Sequence, residues 1–125
     1  MARILIIDDD PAIRALLSGI LEAGGHSVVT ARDGQAGLTA FDGEQVDLVV
    51  CDIVMPEREG IATISAIRRA SATVPILAIS GSSTVGRYGS HLDAAALMGA
   101  NATLPKPLTA DAFLEAVERL LAARH

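Results

Sequence analysis

The chain has 125 residues, of which 50% are hydrophobic, a formal net charge of -5 and a single cysteine. This length and apolar fraction suit one domain with a buried core and exclude a disordered chain, and one cysteine excludes an internal disulfide or a thiolate zinc site. The acidic balance argues against nucleic acid or an anionic membrane surface as a partner. With no signal-peptide pattern and no apolar run of the roughly 20 residues that a membrane span needs, we expect one cytoplasmic domain over residues 1–125.

Short apolar runs alternate along the chain with longer segments of helical periodicity. The first run, ILII at 4–7, predicts a buried strand. Asp10 and Pro11 then predict a helix start, and Gly24 with Gly25 predicts its end. The apolar side chains of this helix recur at the spacing of one buried face: Ile13, Leu16, Leu17, Ile20 and Leu21.

The later segments continue the alternation of strands and helices. In chain order they are a strand at HSVVTA, a helix at DGQAGLTAFDG, a strand at VDLVVC, a helix at GIATISAIRRA, a strand at VPILAIS, a helix at HLDAAALMG, a strand at NATLP and a helix at TADAFLEAVERLLAARH. Thr109 is the expected N-cap of the last helix. Five strands and five helices in this order predict an α/β fold, a doubly wound parallel sheet with helices on both faces, in a single domain.

Polar residues stand where the apolar strand runs end. Asp8 and Asp9 follow the first strand, Asp52 the third, Ser80 the fourth and Lys106 the fifth. In a parallel sheet these ends share one edge, where ligand sites of doubly wound folds lie. Polar loops explain any one of these residues, but they do not explain three acids and a lysine placed together. The prolines of LPKPL restrict the backbone around the lysine, which predicts an ammonium held at a fixed point.

The chemistry of this set follows from its charge. Two carboxylates about 5 Å apart repel by roughly 3 kcal/mol at an effective dielectric constant near 20, so three of them need a cation. A donor set made only of oxygens selects a hard ion such as Mg²⁺. A magnesium ion beside a carboxylate nucleophile, a hydroxyl and an ammonium supplies the groups needed for phosphoryl transfer.

Four stretches, spread over the whole chain in order, resemble the receiver domain of two-component response regulators: ILIIDDDPAIR, DLVVCDIVMPEREG, ILAISGS and LPKPL. The resemblance implies a flavodoxin-like sheet with strand order 2-1-3-4-5. It also implies that Asp52 is the phosphoacceptor. Asp9 and Asp52 would bind Mg²⁺ directly, together with the backbone carbonyl of Val54, and Asp8 would act mainly through metal-bound water.

The same resemblance implies roles for the remaining polar residues and for partners. Ser80 and Lys106 would bind oxygens of the phosphoryl group, and Ser80 would sense phosphorylation. The donor would be a histidine kinase or a histidine phosphotransfer protein, and the phosphorylated form would bind a downstream protein or pass the group onward. The candidate docking residues lie on the first helix and after the fifth strand: Ile13, Arg14, Pro107 and Leu108. For Ile13, packing in the core is the alternative.

Three features depart from the family pattern. Thr103 stands at the position three before the lysine, where an aromatic residue usually swings inward on activation. The spacing from Ser80 to Lys106 is longer than usual by about one helical turn. Val54 stands where a polar residue often assists hydrolysis of the acyl phosphate, so we expect a long-lived phosphorylated form.

The lengthened segment offers a different conformational switch. Tyr88, the only tyrosine of the chain, lies in it between two glycines, which ease backbone movement. We expect residues 81–93 to follow Ser80 on phosphorylation and to form the main partner surface. Packing of Tyr88 over Thr103 in the active state is a subsidiary hypothesis, with a surface tyrosine as its alternative.

Two other functions remain open at this stage. A degenerate receiver would act as an interaction module independent of phosphorylation. Thr103 favours this hypothesis, and the intact set of three acids with Ser80 and Lys106 opposes it. An enzyme on the same topology would need a glycine-rich or hydroxyl-rich phosphate loop after the first strand, where the chain has DDDP. A receiver would catalyse only its own phosphorylation and slow hydrolysis. The histidines, among them His26, share no ligand spacing and are predicted at the surface.

Overall fold

The strands and helices follow one another as the apolar pattern predicts. The computed structural model describes residues 2–43, 45–53, 59–80, 99–105 and 108–123, with the backbone alone at 43, 59, 61 and 80. The strands are β1 (Arg3–Ile7), β2 (Ser27–Ala31), β3 (Leu48–Asp52), β4 (Ile76–Ser80) and β5 (Ala102–Pro105). The helices within these ranges are α1 (Pro11–Ala23), α2 (Gly34–Gly43), α3 (Glu59–Ala70) and α4 (Ala110–Ala123). The helix predicted at HLDAAALMG lies, apart from Gly99, outside the described residues.

All five strands are parallel and form one sheet in the order β2-β1-β3-β4-β5. The predicted fold class and strand order are therefore confirmed. The chain winds outward from β1 in one direction and from β3 in the other, so the strand order reverses between these two strands. In open α/β sheets the crevice at this reversal, on the carboxyl edge, is where ligands bind.

The core consists of two apolar layers, one on each face of the sheet. In β1, Leu5 and Ile7 join the layer that contains side chains of α2 and α3, whereas Ile4 and Ile6 join the layer that contains side chains of α1 and α4. Successive side chains of a strand point to opposite faces, so a strand covered on both faces must be continuously apolar. This explains why the inner strands β1, β3 and β4 appear in the sequence as hydrophobic runs, whereas the edge strands β2 and β5 are less buried and include a threonine each.

Helix α1 confirms the predicted caps and corrects one predicted core position. Asp10 Oδ1 accepts a hydrogen bond from the backbone N–H of Ala12 at 2.9 Å, and Gly25, with φ of +90°, follows the helix end. Leu17 and Leu21 are fully buried, but Leu16 is 55% exposed. Leu16 lies at the edge of the predicted apolar stripe, and the orientation of α1 on the sheet leaves that edge outside the core.

The predicted surface position of His26 is wrong. Its imidazole is buried, Nδ1 accepts a hydrogen bond from the backbone N–H of Ala2 at 3.2 Å, and Nε2 lies 3.2 Å from Oε2 of Glu118. Because Nδ1 is the acceptor, the neutral ring carries its proton on Nε2 and donates it to Glu118. The ring thus connects the residue before β1 to α4 across one end of the sheet.

A second network secures the start of β5. The Nη2 group of Arg68 donates to Gly99 O and to Asn101 Oδ1, both at 2.8 Å, and Asn101 Oδ1 also accepts from Ile76 N at 2.8 Å. Partial burial lowers the pKa of Arg68, and these hydrogen bonds compensate for the desolvation of its guanidinium.

None of the helices in the described part of the chain is long and apolar enough to cross a membrane.

Candidate functional site

The carboxyl end of β1 places Asp8 rigidly at the reversal point. Its backbone N–H donates to Ala31 O of β2 at 3.1 Å, and its Oδ1 accepts from the backbone N–H of Asp10 at 2.9 Å. Its carbonyl oxygen accepts from Nη1 of Arg14 at 2.7 Å. Asp8 is fully buried, and these three hydrogen bonds satisfy both of its backbone groups and one carboxylate oxygen.

Asp52 is the last residue of β3 and is 3% exposed. The sheet continues past it, because Ile53 N donates to Ile79 O of β4 at 2.9 Å. On the other side of this strand end lies Gly60, where any Cβ atom would overlap the Asp52 carbonyl oxygen and the Cα atom of Ile53. The first turn of α3 therefore packs directly on the backbone that carries Asp52, and glycine is what permits that approach.

The three predicted acids come together. One carboxylate oxygen from each of Asp8, Asp9 and Asp52 lies within 4.8 Å of the other two. Asp8 and Asp52 are buried and Asp9 is exposed, so the group opens to solvent on the side of Asp9. Carboxylates this close repel unless a cation lies among them, and their hard oxygen donors fit Mg²⁺, which keeps several of its waters when bound.

The other predicted site residues are described to different extents. The backbone of Ser80 ends β4 and pairs with Pro105 of β5, while Asp52 pairs with Ile79, so these strand ends are adjacent. Thr103 pairs with Ala78 in the body of β5 and is half-buried. The predicted roles of four residues concern positions outside the described residues: Val54, Tyr88, Lys106 and Pro107.

The predicted docking residues separate into two kinds. Ile13 and Leu108 are half-buried and pack against the same apolar layer, the one that contains side chains of α1 and α4. The half-buried Arg14 instead turns its guanidinium towards the backbone of Asp8. Sequence periodicity placed Leu16 in the core and so missed it as a surface residue of α1. No local signal identifies the contact of Arg14, which depends on how the chain turns into the helix.

Residues 4–118 match the family of response regulator receiver domains. The transcriptional regulatory protein GlrR of Escherichia coli strain K12 is 34% identical over 122 residues, covering 96% of this chain and 26% of that protein. The response regulator MprA of Mycolicibacterium vanbaalenii is 34% identical over 119 residues, covering 95% of this chain and 50% of that protein. The chain thus spans 26% and 50% of the lengths of these two curated relatives.

The fold comparison agrees with the sequence comparison. A CheY-like response regulator receiver domain protein from Methanospirillum hungatei JF-1 has a TM-score of 0.89 and 27% sequence identity, with 99% of this chain and 96% of that chain covered. Strand order, the acidic group at the reversal point and the family match all lead to one assignment. The chain belongs to the receiver domain family of two-component response regulators.

Proposed function

We propose that this chain accepts a phosphoryl group on the carboxylate of Asp52, with Mg²⁺ held by Asp8, Asp9, Asp52 and the backbone carbonyl of Val54. Receiver domains bind Mg²⁺ at an acidic pocket and are signalling modules rather than metabolic enzymes. The observation that carries the proposal for this chain is the approach of three carboxylates within 4.8 Å at the carboxyl edge of the sheet.

The reaction requires an in-line attack by a carboxylate on phosphorus. An oxygen of Asp52 forms the new P–O bond, the P–N bond to the donor's imidazole breaks, and the imidazole leaves with the bonding electron pair. The product is an acyl phosphate on Asp52. Mg²⁺, when bound, supplies charge neutralisation for the phosphoryl oxygens. Ser80 donates a hydrogen bond to one of these oxygens, and Lys106 pairs with another.

The phosphoryl donor is a histidine kinase or a histidine phosphotransfer protein, the class of partner that receiver homologues use. It docks on α1 and on the residues after β5. Support for this surface comes from Ile13 and Leu108, which are only half-buried and leave part of each side chain at the surface, and from the exposed Leu16 on α1. The docking surface therefore includes Leu16 in addition to Ile13, Pro107 and Leu108.

The output of the domain, taken as residues 1–125, is a phosphorylation-dependent change in protein binding or an onward transfer of the phosphoryl group. Thr103 lacks the aromatic ring that usually changes position on phosphorylation. The segment at 81–93, which contains Tyr88, moves instead, because it follows Ser80 in the chain. The downstream protein binds this segment. Val54 cannot orient a water for hydrolysis, which gives the acyl phosphate a long lifetime.

Acceptance of phosphate is tested by mass spectrometry after incubation with acetyl phosphate and Mg²⁺. The wild-type chain should gain one phosphoryl group that maps to Asp52, and Asp52→Asn should gain none, because an amide is not a nucleophile towards phosphorus. Asp42→Asn, which changes an exposed acid at the end of α2, is the matched control and should label like the wild type.

Two outcomes would contradict the proposal. Stoichiometric label on Asp52→Asn would move the acceptor to another residue. A folded wild-type chain that takes up no phosphate and binds no Mg²⁺ would favour the alternative, an interaction module that works without phosphorylation and for which the threonine at 103 is the supporting feature.

A further inference from the structure

The side chain of Arg14 ties the start of α1 back to the end of β1. The backbone N–H of Arg14 donates to Asp10 O at 3.0 Å, the first hydrogen bond of the helix, and its Nη1 donates to Asp8 O at 2.7 Å. Between these two anchored residues lies Asp9. Asp10 also donates its own N–H to Oδ1 of Asp8 at 2.9 Å, which closes the turn from the inside.

Asp9 depends on this turn more than its two neighbours in the acid group do. Asp8 and Asp52 are buried, and each is continuous with a strand whose hydrogen bonds fix its backbone. Asp9 is exposed and lies beyond the end of β1. Its carboxylate keeps its place in the acid group through the backbone conformation of residues 8–10, which the Arg14 guanidinium fixes at the Asp8 carbonyl.

We propose that Arg14 is a positioning residue for the metal and phosphorylation site, acting through the carbonyl of Asp8 to hold the carboxylate of Asp9 where it binds a divalent cation. This inference rests on the proposed function of the site. It assigns Arg14 an inward role in place of the donor-docking role predicted from the sequence.

The charge and the geometry of Arg14 act in opposite directions on metal affinity. A guanidinium beside the site repels a divalent cation, so its charge alone weakens binding. Its hydrogen bond orders a ligand before the metal arrives, which strengthens binding. If Arg14 acts mainly by positioning, removing its side chain raises the Kd for the metal. If it acts mainly by charge repulsion, removing its side chain lowers that Kd.

The experiment compares Arg14→Ala, Arg14→Gln and Arg14→Lys with the wild type in titrations with MgCl2, following amide chemical shifts of the β1–α1 turn. Loss of partners around metal ligands commonly weakens binding by 10- to 100-fold, and we expect Arg14→Ala to raise the Kd for Mg²⁺ by about tenfold. Arg14→Lys and Arg14→Gln each keep a donor and should recover part of the loss. Acetyl phosphate labelling should slow in the same order.

Arg119→Ala is the matched control, because it removes an equal charge from α4, where Arg119 pairs with Glu115 at 2.8 Å. It should leave both the Kd for Mg²⁺ and the labelling rate unchanged. A second readout needs no metal: amide hydrogen exchange of Asp10, whose N–H is bound to Asp8, should accelerate in Arg14→Ala and not in Arg119→Ala.

Three results would overturn the proposal. The first is a Kd for Mg²⁺ in Arg14→Ala that equals or falls below the wild-type value. The second is unchanged exchange of the Asp10 amide, which applies even if the wild type binds no Mg²⁺ and the proposed function itself fails. The third is normal acetyl phosphate labelling with loss of transfer only from a phosphorylated histidine phosphotransfer protein, which would return Arg14 to a docking role. Each comparison uses variants whose thermal unfolding confirms a folded state, and the Gln and Lys variants serve if the Ala variant fails to fold.

Discussion

At the scale of single residues, the exposure of Leu16 is the feature with the clearest functional consequence. Among the described residues, Leu16 is the large hydrophobic residue that lies exposed, with 55% of its surface accessible. It lies one helical turn from Ile13 on α1, the helix that begins at the acid group. An isolated exposed leucine is common on protein surfaces, so its importance depends on its position beside the phosphoacceptor.

We predict that Leu16→Ser slows phosphoryl transfer from a protein donor by about tenfold, because burying a leucine contributes roughly 1.5–3 kcal/mol to an interface. Acetyl phosphate does not dock, so labelling by it should be unchanged. The free energy of unfolding should stay within about 0.5 kcal/mol of the wild-type value, as expected for a surface substitution. Equal transfer rates from the protein donor in Leu16→Ser and the wild type would exclude Leu16 from the docking surface.

At the scale of secondary-structure elements, the approach of α3 to the end of β3 controls the backbone of the phosphoacceptor. Gly60 lies in the first turn of α3, against the carbonyl oxygen of Asp52 and the Cα atom of Ile53. Neither of these backbone atoms can move without disturbing the sheet, since Ile53 N is bound to Ile79 O of the neighbouring strand. A methyl group at position 60 would therefore separate the helix from the strand.

Gly60→Ala should lower the free energy of unfolding by about 2 kcal/mol or more, because overpacking against fixed atoms typically costs 1–3 kcal/mol. Gly19→Ala is the matched control, since a Cβ atom at this exposed α1 position meets nothing within 4 Å. That substitution should instead stabilise the protein by roughly 0.5–1 kcal/mol through helix propensity. Urea denaturation measures both, and a Gly60→Ala variant as stable as Gly19→Ala would refute the close packing of α3 on β3.

At the scale of the whole molecule, the acid group lowers the stability of the fold, although the proposed function requires it. Three carboxylates within 4.8 Å destabilise the metal-free domain by their mutual repulsion. Two of them are buried, where solvent screens the repulsion least. The apolar layers on both faces of the sheet stabilise the fold enough to keep the three carboxylates together. Binding of a divalent cation should remove the repulsion between them.

We predict that MgCl2 at about 100 times its Kd raises the free energy of unfolding by roughly 2.7 kcal/mol. Asp9→Asn should remove most of this gain and should stabilise the metal-free protein by about 1 kcal/mol, because one of the repelling charges is gone. Thermal unfolding with MgCl2, and with NaCl at equal ionic strength, measures both effects. A gain that persists in Asp9→Asn, or that NaCl reproduces, would contradict binding at the acid group.

The sequence by itself determined the strands, the parallel sheet and the edge at which the acids meet. Strands buried on both faces must be continuously apolar, so their limits are visible as hydrophobic runs, and the residue after each run falls at the carboxyl edge. Local chemistry also determined the helix starts, since Asp10 and Thr109 accept hydrogen bonds from the N–H groups of Ala12 and Ala112 as predicted.

Only the tertiary structure decided which side chains at the margins of these patterns are buried and what they contact. The angle at which α1 lies on the sheet exposes Leu16, and the meeting of chain segments far apart in sequence buries His26 between Ala2 and Glu118. The contact of Arg14 with Asp8 likewise depends on the turn that joins β1 to α1. Periodicity averages over a helix and carries no information on its orientation or on distant partners, so these contacts arise when the elements pack.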